Sequence, residues 1–274
     1  MARISPLTVL AVALVGGLWL AERARPLRRQ THSTATRQAR NLALGAGTML
    51  VVTAIEMPLL TRLAKGNVRA RRGLVQVLPL PRPLQIVLGV AAMDYAFYWW
   101  HIATHRVPFL WRFHRVHHID PDMDMTTALR FHAVDMLVSL PFRVAQVVLS
   151  GADVRILMAH RRFFDASVLF HHSNLALPGR WDETLSLILT TPKMHGVHHS
   201  KVWEEMNSNW TSGLSLWDRL HRTLRSKPQE RIEIGVADAD ADAASLADLS
   251  LGNSLTAPFR VTPAPLPPGA VSLR

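Results

Sequence analysis

Apolar residues fall in long, nearly uninterrupted blocks over the first hundred positions, with no period-two alternation and no narrow helical stripe. Leu7–Leu20 is broken only by Thr8 and by small glycines. A block of this kind reads as a buried or membrane helix. The single basic residue before it, Arg3, and the lack of a small-x-small site favour an uncleaved membrane helix over a signal peptide. Leu42–Leu60 reads as a second span, ending near Pro58 with Glu56 close to its far end, and Leu84–Trp100 as a third. The connection Thr61–Pro83 between them is basic and proline-rich. His101–Arg130 is polar and is expected outside the hydrocarbon. Ala133–Ser150 and Val154–Phe170 are apolar again, but Pro141, Arg143, Arg155, His160, Arg161, Arg162 and Asp165 interrupt them. Such a pair reads as a helical hairpin that enters the bilayer incompletely or is shielded by other helices. Pro178–Trp217 is polar with short helical patches. Beyond Lys227 come Ala/Asp repeats and a Pro-rich end, a composition expected to be poorly ordered.

This pattern divides the chain into an N-terminal membrane part (1–83), a central part holding most of the polar chemistry (84–225) and a tail (226–274). The expected fold is all-α, with three to four membrane-embedded helices and a cytoplasmic helical cap. Composition agrees: 49% of the 274 residues are hydrophobic, 19% are charged, and the net charge is +11. Basic residues that flank apolar spans point to lipid headgroups and the cytoplasmic face, and not to nucleic acid. The loops Arg23–Arg40 and Arg62–Arg82 each carry six basic residues, so charge alone ties. Further arginines among the histidines tip that side towards the cytoplasm, in a multi-pass protein of a bacterial-type inner membrane. Reporters after Ile119 and Ser200 are then expected on the cytoplasmic side, and one near Gly66 on the other. With no cysteine, disulfides, thiolate metal sites and cysteine nucleophiles are excluded.

Fourteen histidines remain to be explained, twelve of them between His101 and His199. His101 and His105 are four apart. His114, His117 and His118 form HxxHH, and His195, His198 and His199 form a second HxxHH. On a helix, positions i, i+3 and i+4 share a face. At this histidine frequency one HxxHH arises by chance in a few per cent of chains and two in about one in a thousand. Eight neutral imidazoles make a metal site, and they exceed the roughly four ligands of a single zinc ion, so the count selects a dinuclear centre. No carboxylate lies inside the clusters, unlike the Glu-rich di-iron bundles.

The stretches Asp94-Tyr-Ala-Phe-Tyr-Trp-Trp-His101, Leu110-Trp-Arg-Phe-His-Arg-Val-His-His118, Phe170-His-His-Ser-Asn174, Thr191-Pro-Lys-Met-His-Gly-Val-His-His-Ser200 and Leu214-Ser-Leu-Trp-Asp-Arg-Leu220 resemble the fatty acid hydroxylase/sterol desaturase superfamily, from about Asp94 to Thr223. The resemblance implies an integral-membrane oxidoreductase with two non-haem Fe2+ ions and O2 as co-substrate. It would hydroxylate or desaturate a C–H bond of a fatty acyl or sterol-like lipid in lipid biosynthesis, with zinc as an inert substitute metal. It also implies ligand roles for His101, His105, His114, His117, His118, His195, His198 and His199, and adds His172, with His171 beside it as the alternative. His132 matches a position frequent in bacterial relatives. This chain departs from the superfamily at Asn209-Trp210-Thr211, at His221-Arg222-Thr223 and at His160-Arg161-Arg162. It has no dinucleotide fingerprint and no haem-attachment motif, so a separate electron-donor protein is implied. The competing class is a non-enzymatic membrane metal or haem binder. Haem needs only one or two axial histidines, and a metal transporter places its ligands at mid-membrane.

Supporting residues carry further expectations. Asp94, seven before His101 on the same helix face, is read as accepting a ligand histidine's free N–H; His132 and His171 are the other candidates for that outer role. Asp120, Asp122 and Asp124 read as a solvated acidic loop, and Asp218 as one half of a local ion pair. Tyr95, Tyr98, Trp99, Trp100 and Trp111 read as an interfacial aromatic belt.

Overall fold

The computed structural model describes residues 5–236 and 250–260. Among them the regular elements are helices, with three isolated β-bridges and no strand. Helix α1 (Pro6–Ala24) begins with Ser5 capping the Thr8 amide and Pro6 in its first turn. It exposes Val9, Leu10, Val12, Leu14, Val15, Trp19 and Leu20. Its last turn is held inward, because buried Glu22 accepts the amide N–H groups of Met125 (3.0 Å) and Asn174 (2.9 Å). The chain then pairs beside α9 (Val154–His172) through the Pro26–Leu175 bridge.

Helix α2 (Thr34–Val51) leads through a π-helical turn, Val52–Glu56, into α3 (Met57–Ala70) and the short α4 (Leu74–Val77). The second apolar block is therefore longer than its sequence implies. Pro58 does not end it, because the proline sits in the first turn of α3, where the widened π turn has already displaced the bond that its ring would break. The expected loop is helical as far as Ala70, which places Gly66 inside a helix, and α4 leaves only 71–73 and 78–81 non-helical before α5. Helix α5 (Arg82–Arg106) runs beyond the expected span and carries His101 and His105 in its final turns.

Among the described residues, two helices are long and apolar enough to cross a membrane: Thr34–Val77 and Arg82–Arg106. Only 17% and 28% of their most apolar windows are buried within the protein. A core helix of a soluble domain would hide most of that surface.

The expected hairpin is present as α7 (Ala133–Val138), α8 (Leu140–Ser150) and α9. Leu60 and Ala64 of α3, Met93 of α5, Val147 of α8, and Ile156 and Leu157 of α9 share one apolar cluster, so other helices shield it. At its turn Gly151 (φ +72°) meets Gly73 (φ +89°). A Cβ on Gly73 would lie 2.4 Å from the Gly151 backbone, so both positions require glycine.

The tail reading needs correction over part of its length. Residues 226–236 pack through Ile232 and Ile234 against Met123 and Val197, through Val236 against Trp111, Ile119 and Met206, and through the Ser200–Ile234 bridge, and Leu251–Arg260 is a helix. The rest of the expected tail, 237–249 and 261–274, lies outside the described residues. The aromatic belt is corrected as well. Tyr98 and Trp111 are buried, and Tyr98 Oη lies 3.1 Å from Thr223 Oγ1. Of the five, Trp99 is the exposed one.

Candidate metal centre

Four elements deliver the histidines. The end of α5 carries His101 and His105. Helix α6 (Pro108–His118), started by a proline that has no N–H to lose, carries His114, His117 and His118. The end of α9 carries His171 and His172. Helix α11 (Pro192–His198), capped by Thr191, carries His195 and His198, with His199 directly after it. Gly196 in α11 lets the Arg28 guanidinium approach the helix closely, since a Cβ there would lie 1.9 Å from Arg28 Nη2. Arg28 donates to the Pro192 carbonyl (2.8 Å) and so ties α11 to the segment after α1.

The imidazoles sort into two sets. His101, His105, His114 and His118 form one, and His117, His172, His195 and His199 the other; within each, one ring nitrogen per residue lies within 4.8 Å of all the rest. His198 joins the first set, with Nε2 3.1 Å from His101 Nε2. His171 lies beside the second, its ring centroid 4.0 Å from that of His195. Each HxxHH is divided between the sets. Positions i and i+4 go to one and position i+3 to the other, although the three share a helix face. The sets adjoin where the His118 and His199 rings stack at 4.2 Å.

Hydrogen bonding fixes several tautomers. Nδ1 of His101 lies 2.7 Å from the Trp210 carbonyl, that of His198 2.9 Å from the Ser208 carbonyl, and that of His172 2.7 Å from the Val168 carbonyl. A carbonyl only accepts, so each Nδ1 carries the proton and each Nε2 presents a lone pair. The lone pairs of His101 and His198 thus face each other at 3.1 Å, and that of His172 lies 2.9 Å from His195 Nε2 and 3.0 Å from His117 Nε2. His105 and His118 are buried with neither ring nitrogen hydrogen-bonded to protein. Burial, reinforced by neighbouring imidazoles, pushes His117, His118, His195 and His199 well below the usual histidine range, so they are neutral at pH 7. Converging neutral nitrogen lone pairs repel one another and leave buried acceptors unsatisfied. Cations remove both costs, so this donor set fits two metal ions.

The outer layer differs from its sequence reading. Asp94 accepts from the Leu214 amide (3.0 Å) and Trp217 Nε1 (2.8 Å), not from an imidazole. It anchors the 213–217 segment to α5, and Gly213 is required there because a Cβ would lie 2.3 Å from Asp94 Oδ1. His132 stands apart: Nδ1 caps α7 by accepting the Val134 amide, and Nε2 contacts the Leu255 carbonyl at 3.1 Å. Asp120 and Asp124 are buried and hold Arg37, with Arg40 also on Asp120, while Asp122 binds the backbone of Thr31 and His32. They clamp α2 to the segment that follows α6 and are not a solvated loop.

Asp218 is not half of a local ion pair. Its carboxylate accepts from the amides of Trp210 (2.9 Å) and Thr211 (3.0 Å) and from the hydroxyls of Thr211 (2.5 Å) and Thr223 (2.6 Å). It thereby fixes the Trp210 carbonyl that orients His101, with Asn209 (φ +50°) making the left-handed bend beside it. Asn in the Asn-Trp-Thr turn was the available signal, since Asn tolerates this conformation better than most residues.

A cavity of about 300 Å3 opens onto His101, His114, His117, His172 and His195. Phe97, Trp100, Phe131, Val52, Leu129 and Leu169 form much of its wall.

The same boxes govern the comparisons with known proteins. The chain is 31% identical to ornithine lipid hydroxylase OlsE of Rhizobium tropici over 157 residues, covering 57% of this chain and 46% of that protein. It is 30% identical to alkylglycerol monooxygenase of Xenopus tropicalis over 150 residues (54% and 32%), and 26% identical to the Homo sapiens protein of that name over 163 residues (58% and 34%). The chain thus spans less than half the length of these curated relatives. No solved structure matches it significantly. The family model for fatty acid hydroxylase matches residues 86–223, from the start of α5 through the turn that Asp218 holds, which takes in every histidine of both sets; the chain belongs to the fatty acid hydroxylase family.

Proposed function

We propose that this protein is a membrane-bound oxidoreductase that inserts oxygen from O2 into a C–H bond of a lipid, at two non-haem iron ions held by the two histidine sets. The observation that carries this reading is the opening of an apolar cavity directly onto imidazoles whose lone pairs converge. His101, His105, His114 and His118, with His198, would hold one ion, and His117, His172, His195 and His199 the other. Two ferrous ions there would supply O2 activation, so that a C–H bond, O2, two protons and two electrons from a separate donor protein yield an alcohol and water.

The chain's own part is positional. Backbone carbonyls hold His101, His172 and His198 in the tautomer that frees Nε2, and outer contacts of this kind typically strengthen metal binding 10- to 100-fold. The aromatic and aliphatic wall orients an alkyl chain and keeps water from the reacting carbon. The exposed apolar faces of α1, Thr34–Val77 and Arg82–Arg106 support residence in a bilayer, with the histidine end towards the cytoplasm, where reduced iron and electron donors are available.

Hydroxylation is favoured over desaturation by the names of the relatives. A non-enzymatic metal carrier has no use for an apolar cavity ending at the metal. The test is to compare lipids of cells expressing the wild type, His117→Ala or His198→Ala under 18O2. The expected result is one lipid class gaining a single 18O with the wild type alone. An unlabelled product, or no lipid change with iron-loaded wild type, would overturn the proposal.

A further inference from the structure

The cavity has a second polar group, away from the histidines. Glu56, 2% exposed, closes the π-helical turn between α2 and α3 and lines the cavity together with Arg143 of α8 and Arg161 of α9. Single π turns occur often at functional sites, since the extra residue rotates a side chain off its helical face. Glu56 Oε2 is 3.6 Å from Arg143 Nε, and Oε1 is 3.6 Å from Arg161 Nη1, while Arg161 Nε is taken by Asp165 at 2.7 Å. A separation of 3.6 Å is an ion pair but not a hydrogen bond. Glu56 Oε2 and Arg143 Nε are both buried, and neither makes a hydrogen bond within the protein. The Arg143 guanidinium lies over Phe97 (5.6 Å) and Phe164 (5.9 Å), which fixes it in place.

One acceptor and one donor therefore stand side by side at the cavity wall. Two carboxylates and two guanidiniums balance in charge, leaving no surplus cation for a carboxylate or phosphate. The complementary ligand is a neutral group that donates once and accepts once. We propose that Glu56 and Arg143 form a seat for a hydroxyl or amide on the lipid substrate, which gives its hydrogen to Glu56 Oε2 and accepts from Arg143 Nε–H. The Arg143 guanidinium carbon is 5.6 Å from the Phe97 ring centroid, which is 6.1 Å from that of His101, so the seat lies no more than about 12 Å from the nearest histidine ring. It would then set which carbon of the chain reaches the histidines. This inference rests on the lipid-hydroxylase reading of the cavity, but its test uses no turnover.

The experiment is equilibrium dialysis of radiolabelled 1-tetradecanol, tetradecane and tetradecanoate against the purified full-length protein in detergent, with empty micelles subtracted. Wild type is expected to retain the alcohol about tenfold or more over the alkane, because a site built to hydrogen-bond a hydroxyl rejects the analogue lacking it. Glu56→Leu/Arg143→Met should bring the alcohol down to the level of the alkane and leave alkane retention unchanged. Should that pair fail to fold, Arg143→Lys keeps the charge, withdraws the Nε–H and should also lower the preference. Equal retention of alcohol and alkane by wild type would overturn the proposal and leave the triad a structural ion pair. So would a preference that survives either substitution, or tighter retention of tetradecanoate. If alcohol is preferred as expected but no lipid is oxidised by iron-loaded protein, the enzymatic reading fails and the seat stands.

Discussion

Removing the Asp218 carboxylate tests how far the metal centre depends on groups that touch no metal. In Asp218→Ala the buried amides of Trp210 and Thr211 lose their acceptor, while the hydroxyls of Thr211 and Thr223 are free to turn elsewhere. Each stranded buried N–H costs about 1–3 kcal/mol, and the two together about 4. At about 2–4 °C per kcal/mol for a chain of this size, the unfolding midpoint in detergent should fall by roughly 8–16 °C. The Trp210 carbonyl would no longer be fixed, and His101 would lose its tautomer lock. Disturbing an outer contact of this kind lowers metal affinity about 10- to 100-fold. Asp218→Asn keeps the shape and part of the acceptor capacity, so it should fall between. The assay is metal content of the folded, size-selected fraction together with thermal unfolding. An Asp218→Ala protein with full metal and a midpoint within about 2 °C of wild type would refute this account of the outer layer.

Three further outcomes are expected. His172→Ala should remove about half the bound metal and all activity, and His171→Ala should be milder, because the His172 lone pair meets two imidazoles whereas His171 lies beside the set; equal losses, by metal analysis and product assay, would reverse the ranking. In metal-stripped protein, His117, His118, His195 and His199 resist protonation when folded, so the unfolded chain binds more protons as pH falls through 6.5 and stability is lost in that direction. The slope is about 1.4 kcal/mol per pH unit per imidazole, about 5 for the four, and denaturant unfolding with no change between pH 7.5 and 5.5 would contradict their neutral burial. Reporters after Ile119 and after Ser200 should read cytoplasmic, and one in the 78–81 turn the opposite side; a turn reporter on the cytoplasmic side would mean that Thr34–Val77 re-enters without crossing.

What sequence could reveal divides along physical lines. The histidine boxes stood out because side-chain identity and helical spacing carry their chemistry directly, and the structure brings all nine expected ligands together with His171. The hairpin was visible through its apolar length. The outer layer was not, because His101, His172 and His198 are oriented by backbone carbonyls, which no residue type announces. Asp94 and Asp218 bind amides and an indole from the 210–217 segment, partners that spacing along one helix does not indicate. The acidic loop looked solvated because its arginine partners, Arg37 and Arg40, lie some 80 residues earlier. Pro58 does not end the second apolar block, because the π turn before it, invisible to hydrophobic periodicity, accommodates the proline. Composition hid the packed tail, although the alternation of Ile232, Ile234 and Val236 was a local signal of a half-buried extended segment.

The central claim is that the two histidine sets hold two iron ions in one chain. Elemental analysis of protein purified from iron-supplemented cells, read beside its Mössbauer spectrum, tests it most directly. The account predicts close to two irons per chain, with nitrogen-rich non-haem parameters and no haem absorbance, and zinc at the same stoichiometry when iron is withheld. One metal per chain, or iron present as haem, would contradict it.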